Sequence, residues 1–433
     1  MKNIIIGAGF SGLSCGYLLR DAVILESDIS IGGLAKTLHF ENFAFDLGGH
    51  RFLTGKPRID KFIKDLLGDE LAEVERKSKI FKNNRFFDYP ISPNIVFQMN
   101  SLRLSLVAAT YLFRKIKPLK SRSFREKIIN KFGDEVYRYF FKDYTKKVWG
   151  VPCCQISPDW VSKRIGSMSL YDVIYHSFIK KYNLKSLADK FLYPRSGIGV
   201  IAEKLASGLN IELNAKVTGM SFSQNCIKSV IVNNKKEIEC KAVISTMPIT
   251  ELANMLDPPA DVRRAISGLK YRDLICVFLT LDKEKYSDNH WIYFPGKEIF
   301  GRIHEPKKWS KYLAPDGRTG ICVEIFTHCD EPLWQKDELE IAQAVIKDLP
   351  FAKGIEIQDH VVERVKNAYP LYRIDYSKHL WIIKDFLSRY KNLYTIGRTG
   401  NFNYLNMDDC IEEGLSLAEV LIKEAEKRSS LVV

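Results

Sequence analysis

The hydrophobic pattern of the chain is clearest at its start, where the apolar run 3–6 leads directly into three glycines. Three consecutive isoleucines with no polar residue between them predict a fully buried parallel strand. A second apolar run, 22–25, ends in Glu26, and the residues between the two runs predict a short helix. Strand, glycines, helix, strand and terminal acid in this order predict a dinucleotide-binding unit.

The three glycines have the spacing G-x-G-x-x-G, and each has a separate purpose in such a unit. Gly7 permits the tight turn, Gly9 leaves no Cβ between the backbone and a pyrophosphate, and Gly12 lets the helix pack closely on the strand. The first helical N–H groups then face the phosphates. Glu26 is placed to accept hydrogen bonds from the ribose hydroxyls.

The pattern changes several times further along the chain. Residues 57–75 are predicted to be helical, and residues 79–90 are predicted to form a hairpin that turns on Asn83 and Asn84. From Pro93 to about residue 190 the pattern is helical, and strand patterns return after that. The last segment predicts a strand, a glycine turn and a long amphipathic helix.

With 433 residues, the chain exceeds what one hydrophobic core usually supports. We therefore predict an α/β protein with a Rossmann-type dinucleotide-binding domain, a helical insertion and a mixed or antiparallel sheet domain that binds substrate. The predicted segments are 1–92, 191–260 and 366–433 for the dinucleotide-binding domain, 93–190 for the insertion and 261–365 for the sheet domain.

Composition and charge narrow the function classes. With 46% hydrophobic and 27% charged residues, the chain has the composition of an ordinary soluble protein. The net charge of +13 is compatible with nucleic acid, an anionic membrane or a phosphorylated small substrate as partner, but no long basic block favours nucleic acid. A core strand that starts at residue 3 leaves no room for a signal peptide, so we expect a cytoplasmic protein. The nine cysteines contain no C-x-x-C pair and indicate free thiols rather than disulfides or a metal site.

The longest apolar window is 104–113, which is about half of a bilayer span. It therefore does not predict a transmembrane helix. Arg103, Arg114 and Lys115 at its ends leave a weak association with a membrane surface open. A core helix of the inserted domain is the favoured interpretation.

Two motifs carry a family resemblance. The motif E-x(5)-GG-x-A-x-T starts at Glu26, the motif F-D-x-GGH ends at His50, and both resemble the flavoprotein superfamily of amine oxidases, protoporphyrinogen oxidase and UDP-galactopyranose mutase. The resemblance implies FAD, which lies extended and needs backbone access along its length. The implied cofactor-binding residues are Gly7, Gly9, Phe10, Ser11, Gly12, Glu26, Gly33, Leu34, Gly48, Gly49, His50, Arg398, Asn406 and Met407.

Further segments resemble the UDP-galactopyranose mutases in particular, among them YTKKVWGVP, GRIHEPKKW and GRTGNFNYLNMDDCIEEG. The resemblance implies that Arg195 and Arg398 face a substrate diphosphate from opposite sides, with Tyr404 beside them and His50 against the flavin. These four residues are the implied catalytic set. The implied substrate-binding residues are Arg302, Glu305, Tyr369, Trp291 and Tyr293. The aromatic members and His50 could equally be core residues, and an exposed ion pair could explain Glu305.

The implied function is a pyranose–furanose mutase of nucleotide sugars without net redox change, in cell-surface polysaccharide biosynthesis. In such a reaction N5 of the reduced flavin is the nucleophile at the anomeric carbon, and no metal takes part. The sequence does not specify which sugar and which nucleotide are bound, and it is compatible with a homodimer. The alternative is an FAD-dependent amine oxidase or desaturase, and a third possibility is a flavin-bound binding module. Arg195 and Arg398 favour the mutase over the oxidase, because an enzyme that oxidises apolar amines does not need two cations that bind a diphosphate.

Overall fold

A computed structural model of the protein describes residues 1–89, 99, 101–165, 190–351 and 354–430. The architecture consists of two seven-stranded sheets, with helices packed on them and two additional strand pairs. This confirms the predicted α/β fold with a dinucleotide-binding sheet and a second, mostly antiparallel sheet.

The strands of the described ranges are β1 (Lys2–Ile6), β2 (Val23–Leu25), β3 (Thr37–Phe40), β4 (Phe43–Asp46), β5 (Leu71–Glu75), β6 (Ser78–Lys82), β7 (Arg85–Asp88), β8 (Lys190–Pro194), β9 (Asn210–Glu212), β10 (Val217–Ser223), β11 (Cys226–Val232), β12 (Lys236–Ser245), β13 (Lys270–Leu281), β14 (Trp291–Tyr293), β15 (Arg302–His304), β16 (Thr319–Thr327), β17 (Ile357–Leu371) and β18 (Leu393–Thr395). The α-helices are Phe10–Leu18, Pro57–Leu67, Ser101–Ile116, Phe124–Phe132, Asp134–Val136, Lys142–Trp149, Asp159–Ile165, Val200–Ala206, Ile249–Asn254, Ala260–Gly268, Glu338–Asp348, Tyr376–Leu387, Gly397–Gly400 and Met407–Ser430.

The first sheet contains the predicted dinucleotide-binding unit. Its order is β10-β11-β12-β1-β2-β9, and β18 pairs with the end of β12. β1 lies between β12 and β2 and is parallel to both. Ile4 and Ile5 are fully buried, as expected for a strand covered on both faces. The carboxyl ends of β1, β2 and β12 therefore meet at one edge of the sheet, where a dinucleotide binds in such folds.

The second sheet has the order β17-β13-β16-β15-β14-β6-β7. Its pairs are antiparallel except for β14 with β6. β6 and β7 form the predicted hairpin, and Asn83 and Asn84 both have positive φ, at 52° and 57°, as a type I′ turn requires. The sequence division placed this hairpin in the dinucleotide-binding segment 1–92. In the structure it joins the second sheet instead, through its pairing with β14.

One predicted helix is only partly present. The helix Pro57–Leu67 ends before a short 3₁₀ turn, and the remainder of the predicted range forms β5. β5 pairs antiparallel with β8, which lies more than a hundred residues later in the chain. The prediction of helix over 71–75 was therefore wrong, because the pairing partner is too distant to leave a local signal.

The segment predicted as a helical insertion contains five α-helices in its described part, and the π-helical stretch Tyr137–Phe141 joins Asp134–Val136 to Lys142–Trp149. Phe124–Phe132 begins with a capping box formed by Ser123 and Glu126. The continuation of the predicted helix beyond Ile165 falls on 166–189 and lies outside the described residues. None of the helices in the described ranges is long and apolar enough to cross a membrane. The nine cysteines are free thiols, as predicted.

Candidate functional site

The glycine turn after β1 is shaped by close contacts on two sides. Gly7 has φ of +98°, and a Cβ there would lie 2.2 Å from Oγ1 of Thr246, the residue after β12. A Cβ on Gly12 would lie 2.0 Å from the carbonyl oxygen of Gly7. At Gly9, by contrast, a Cβ would meet nothing within 4 Å. The turn is thus tightly packed beneath and open above Gly9, where the backbone would approach a pyrophosphate.

Glu26 closes this turn from the end of β2. Its carboxylate is buried and accepts hydrogen bonds from the backbone N–H of Ala8, at 2.6 Å, and of Asp28, at 2.9 Å. The glycine pair of the next segment packs against the same turn, because the N–H of Gly32 donates to the carbonyl of Ala8 at 2.9 Å. Gly33 begins a 3₁₀ turn that also contains Leu34. Glu26, the predicted ribose-binding residue, therefore also stabilises the glycine turn through its hydrogen bonds.

The C-terminal glycine turn meets the start of the first helix. A Cβ on Gly397 would lie 3.0 Å from Oγ of Ser11. The helix Met407–Ser430 packs along the helix Phe10–Leu18. This brings Arg398, Asn406 and Met407 to the end of the molecule where Phe10 and Ser11 begin their helix. Segments from the two ends of the chain thus pack together at the start of the first helix.

Arg398 lies against two tyrosine rings. Its guanidinium carbon is 4.0 Å from the ring centre of Tyr404 and 5.0 Å from that of Tyr369. The two rings are nearly parallel, with centres 6.0 Å apart. Nη1 of Arg398 donates to the carbonyl of Leu405, whereas Nε is buried without a partner. Among the described residues, no carboxylate forms an ion pair with Arg398. This arrangement holds a positive charge on aromatic faces and leaves it available to an anion.

A second arginine contacts the same tyrosine. Nη2 of Arg302 donates to the hydroxyl of Tyr369 at 2.9 Å and forms an ion pair with Glu324, which is fully buried on β16. Burial alone would raise the pKa of Glu324, but Arg302 and His304 hold it at about 2. Burial raises the pKa of Tyr369 to about 12. Arg302 is therefore a charge-compensated, fixed donor, in contrast to Arg398.

Glu324 also connects this pair to the second glycine motif. The N–H of Gly49 donates to Glu324 Oε1 at 3.2 Å. Nδ1 of His50 lies 3.1 Å from the carbonyl oxygen of Gly48, a hydrogen bond in the tautomer that carries hydrogen on Nδ1. Burial lowers the pKa of His50 to about 4, against the opposing influence of Glu324. At neutral pH the ring is therefore uncharged, and Nε2 remains an acceptor.

Trp291 and Tyr293 line the β14 side of the cluster. A Cβ on Gly49 would lie 2.4 Å from the ring of Trp291, so the glycine motif and the indole are in direct contact. The guanidinium of Arg302 lies 5.2 Å from the Trp291 ring centre. The ring of Tyr293 packs on Tyr89, with centres 4.6 Å apart. Nε1 of Trp291 is buried without a hydrogen-bond partner.

The side chains of two predicted site residues form no hydrogen bond or ion pair with this cluster in the described ranges. Glu305 is buried, and its carboxylate accepts hydrogen bonds from the N–H groups of Tyr286 and Ser287, at 3.0 and 3.1 Å, and from the Thr319 hydroxyl at 2.9 Å. It is an anchor of the 286–287 loop, not the exposed ion pair considered from the sequence and not a residue facing the cluster. The side chain of Arg195 is exposed on the turn after β8, and its backbone bonds to Glu70 and to the hydroxyl of Ser310. No hydrogen bond, ion pair or ring contact joins the side chains of Arg195 and Arg398 in the described part of the chain, so the two-arginine clamp stays a prediction.

Glu324 was missed at the sequence level, as was His304, which packs its ring flat on Trp309 at 5.0 Å. Both are completely enclosed. A signal existed for Glu324, because an acid within the apolar run GICVEIF needs a buried partner.

A separate group, Asp273, His328 and Cys329, consists of side chains that can bind a metal ion. Both carboxylate oxygens of Asp273 already accept backbone N–H groups at 2.7 Å, so this group stabilises a loop.

The sequence profile of the family described as flavin containing amine oxidoreductase matches residues 10–422. The chain belongs to this family. Its cofactor is accordingly FAD, as predicted. The residues around the glycine turn fit this group, because Gly9 leaves open space for a pyrophosphate at the start of the first helix.

The chain resembles both oxidases and mutases of this family. It is 23% identical to coproporphyrinogen III oxidase from Staphylococcus aureus, over 97% of this chain and 98% of that one. It is 22% identical to dTDP-fucopyranose mutase from Escherichia coli, over 98% of each chain. Among solved structures, reduced UDP-galactopyranose mutase superposes with a TM-score of 0.83 at 21% identity, covering 98% of this chain and 95% of that one. The mutase-like flavoprotein resemblance and the fold are thereby confirmed.

Proposed function

We propose that the protein is an FAD-dependent mutase that interconverts pyranose and furanose forms of a nucleotide-diphosphate sugar. The observation that carries the proposal is the position of Arg398. Its guanidinium rests on Tyr404 and Tyr369 and has no carboxylate partner among the described residues. A partly buried cation in such a position favours an anionic ligand. The similarity to dTDP-fucopyranose mutase and to UDP-galactopyranose mutase supports a diphosphate as that anion.

The protein side chains would hold the leaving group and exclude water. Arg398 would present its planar fork to the diphosphate, and the Tyr404 hydroxyl would donate beside it. Arg302, fixed by Glu324, would keep the Tyr369 hydroxyl in place. These groups are pre-oriented by packing, so little reorganisation accompanies the development of negative charge on the diphosphate.

FAD, when bound in its reduced form, would supply the nucleophile for the anomeric carbon. The neutral His50 would lie at the glycine motif with Nε2 as an acceptor. Trp291, in contact with Gly49, would close the site on the β14 side.

The second candidate is an FAD-dependent oxidase of an anionic substrate. One specific observation favours it, because the guanidinium of Arg398 would bind a carboxylate as well as a diphosphate. Coproporphyrinogen III oxidase, similar along nearly the whole chain, belongs to the oxidase side of the family. In this case the substrate would lose hydrogen and oxygen would be consumed.

The deciding experiment compares the two reactions on the same preparation. Dithionite-reduced enzyme is incubated without oxygen with UDP-galactopyranose or dTDP-fucopyranose, and the products are separated by chromatography. We expect a furanose product without peroxide and no turnover by the oxidised enzyme. Peroxide release with coproporphyrinogen, together with no sugar product in the reduced state, would establish the oxidase instead.

A further inference from the structure

The helix Ser101–Ile116 exposes an apolar stripe. Leu102, Leu106, Phe113 and Ile116 follow each other at intervals of four, seven and three residues, which places them on one face of a helix. Their exposed fractions are 72%, 47%, 51% and 85%. A core helix was the favoured expectation for this segment, and it was wrong. Of the helix's own side chains, only Val107 is buried.

The apolar stripe is exposed because the opposite face of the helix is the one that contacts the rest of the protein. This opposite face is held by an ion pair of Arg114 with Asp134, at 2.7 Å, and of Arg103 with Glu135, at 3.2 Å. At Gly133 a Cβ would lie 2.9 Å from the backbone nitrogen of Tyr111, so the backbones are in close contact. The side of the helix that faces the protein carries these two arginines together with Val107, whereas the apolar stripe faces solvent.

The apolar residues are concentrated rather than scattered. In the described part of the chain, 16 large hydrophobic side chains are exposed, and five of them belong to this single helix of 16 residues. The five are Leu102, Leu106, Leu112, Phe113 and Ile116. Single exposed hydrophobic residues need no explanation, but a contiguous group marks an interaction surface.

The charge around the stripe is of one sign. Residues 101–122 contain six Lys and Arg and no Asp or Glu. Lys115, Lys117, Lys120 and Arg122 are exposed at the end of the helix and in the turn that follows. An apolar face beside a cluster of cations fits a surface that is apolar below and anionic at its rim.

We propose that the helix Ser101–Ile116 and the basic turn 117–122 dock the protein on an anionic phospholipid membrane. The helix would lie in the plane of the interface, because 16 residues give a length of about 24 Å, too short to span a bilayer. A second copy of the chain is a poorer occupant. Each copy has a net charge of +13 and the same basic turn, so two copies repel each other, whereas an anionic surface attracts both the turn and the chain. The inference does not rest on the proposed function.

The test measures cosedimentation of the FAD-loaded protein with vesicles. We expect binding to vesicles of phosphatidylglycerol and phosphatidylcholine that weakens with salt, and little binding to phosphatidylcholine alone. The double variant L106E/F113E should reduce binding by roughly tenfold or more. Each of K117S and K120S should reduce it by about fivefold, since a basic residue near an anionic surface contributes about that factor.

Trp381→Glu is the matched control, because Trp381 is 67% exposed on a different helix, Tyr376–Leu387. This variant should bind vesicles like the unaltered protein, and all variants should retain FAD. Equal binding to neutral and anionic vesicles, or equal loss in the Trp381 variant, would overturn the proposal. A dimer in sedimentation equilibrium that L106E/F113E dissociates, with no vesicle binding, would assign the stripe to self-association instead.

Discussion

The guanidinium of Arg398 and the ring of Tyr404 lie 4.0 Å apart, and Tyr369 stacks nearly parallel to the Tyr404 ring. Tyr404 is the sixth residue after the arginine in the chain, whereas Tyr369 comes from β17 of the second sheet. The second sheet thus supplies one aromatic face to a cation of the C-terminal glycine turn, and the loop that follows this turn supplies the other. Arg302 reaches the same tyrosine from β15, but Glu324 neutralises its charge. Of these two guanidinium groups, only that of Arg302 forms an ion pair with a carboxylate among the residues described.

The first prediction concerns Arg398. Replacement with Ala should remove a charge-assisted bidentate contact, which is worth on the order of 2 to 4 kcal/mol, so kcat/KM should fall roughly 30- to 1000-fold. Lys should restore only part of the loss, because it retains the charge without the planar fork. Nucleotide affinity, measured by flavin perturbation on titration with UDP or dTDP, should fall in parallel. FAD content should stay normal.

Arg195→Ala is the matched control for Arg398→Ala. The side chain of Arg195 is exposed and has no hydrogen bond, ion pair or ring contact with the aromatic cluster among the described residues, so kcat/KM should change by less than about threefold. An equally large loss in both variants would restore the two-arginine clamp that the sequence resemblance implies. Loss of flavin from the Arg398 variant would show that this arginine contributes mainly to FAD binding and not to substrate binding.

The second prediction separates two glycines of one motif. Gly9 has open space at its Cβ position and an extended backbone conformation with φ of −77°. Gly9→Val should therefore leave the stability of the FAD-free protein unchanged while FAD affinity falls roughly tenfold or more, since the side chain would enter the pyrophosphate position. Absorbance of bound flavin and thermal unfolding of the apoprotein measure the two effects.

Gly12→Ala provides the contrast. Its Cβ would lie 2.0 Å from the carbonyl oxygen of Gly7, so the helix must shift and the free energy of unfolding should drop by about 1 to 3 kcal/mol. If the two variants lose stability equally, Gly9 contributes to packing and does not serve as the open face of the cofactor site.

The third prediction concerns the buried acid of the second sheet. Glu324→Gln keeps the shape of the side chain but leaves Arg302 as an uncompensated buried charge. The free energy of unfolding should fall by about 3 to 5 kcal/mol in urea titrations. Asp65→Asn removes an exposed partner of Lys61 and should change stability by less than about 0.5 kcal/mol. Comparable small losses in both variants would show that water reaches the Arg302 pair.

The fourth prediction is a pH dependence at His50. Its pKa is about 4 in the folded protein and 6.5 ordinarily, so between these values the unfolded chain binds a proton that the folded protein does not. Stability should therefore be complete above pH 6.5 and decrease as the pH falls toward 4, with about 1 to 3 kcal/mol attributable to this residue. Urea titrations of the unaltered protein and of His50→Asn at several pH values isolate this contribution as the difference between the two curves. Parallel curves would mean that His50 titrates normally.

Local sequence signals determined much of the fold. The isoleucines of β1, the glycine spacing and Glu26 define a unit in which each element is adjacent to the next in the chain. The hairpin at Asn83 and Asn84 likewise depends only on the positive φ that these two residues tolerate. The family motifs, the FAD cofactor and the long terminal helix could also be predicted from the sequence, because each depends on a contiguous stretch of residues.

The sequence also identified the arginine and tyrosines that the structure groups together, but only through a resemblance spread over distant segments. It could not distinguish the two arginines implied in the clamp. Arg195 is exposed after β8, whereas Arg398 is enclosed by Tyr404 and Tyr369. Residue type and neighbouring glycines are alike in both cases, and burial depends on which strands arrive from elsewhere in the chain.

Only the tertiary structure decided the features that depend on distant partners. Residues 71–75 form a strand because β8 lies beside them, and a helical pattern cannot reveal that partner. Glu324 is stabilised by Arg302 from a neighbouring strand. The carboxylate of Glu305 accepts hydrogen bonds from backbone N–H groups of a separate loop. The apolar stripe of the helix Ser101–Ile116 points outward because ion pairs hold its other face. Periodicity specifies that a face is apolar, and the neighbouring elements determine whether that face is covered.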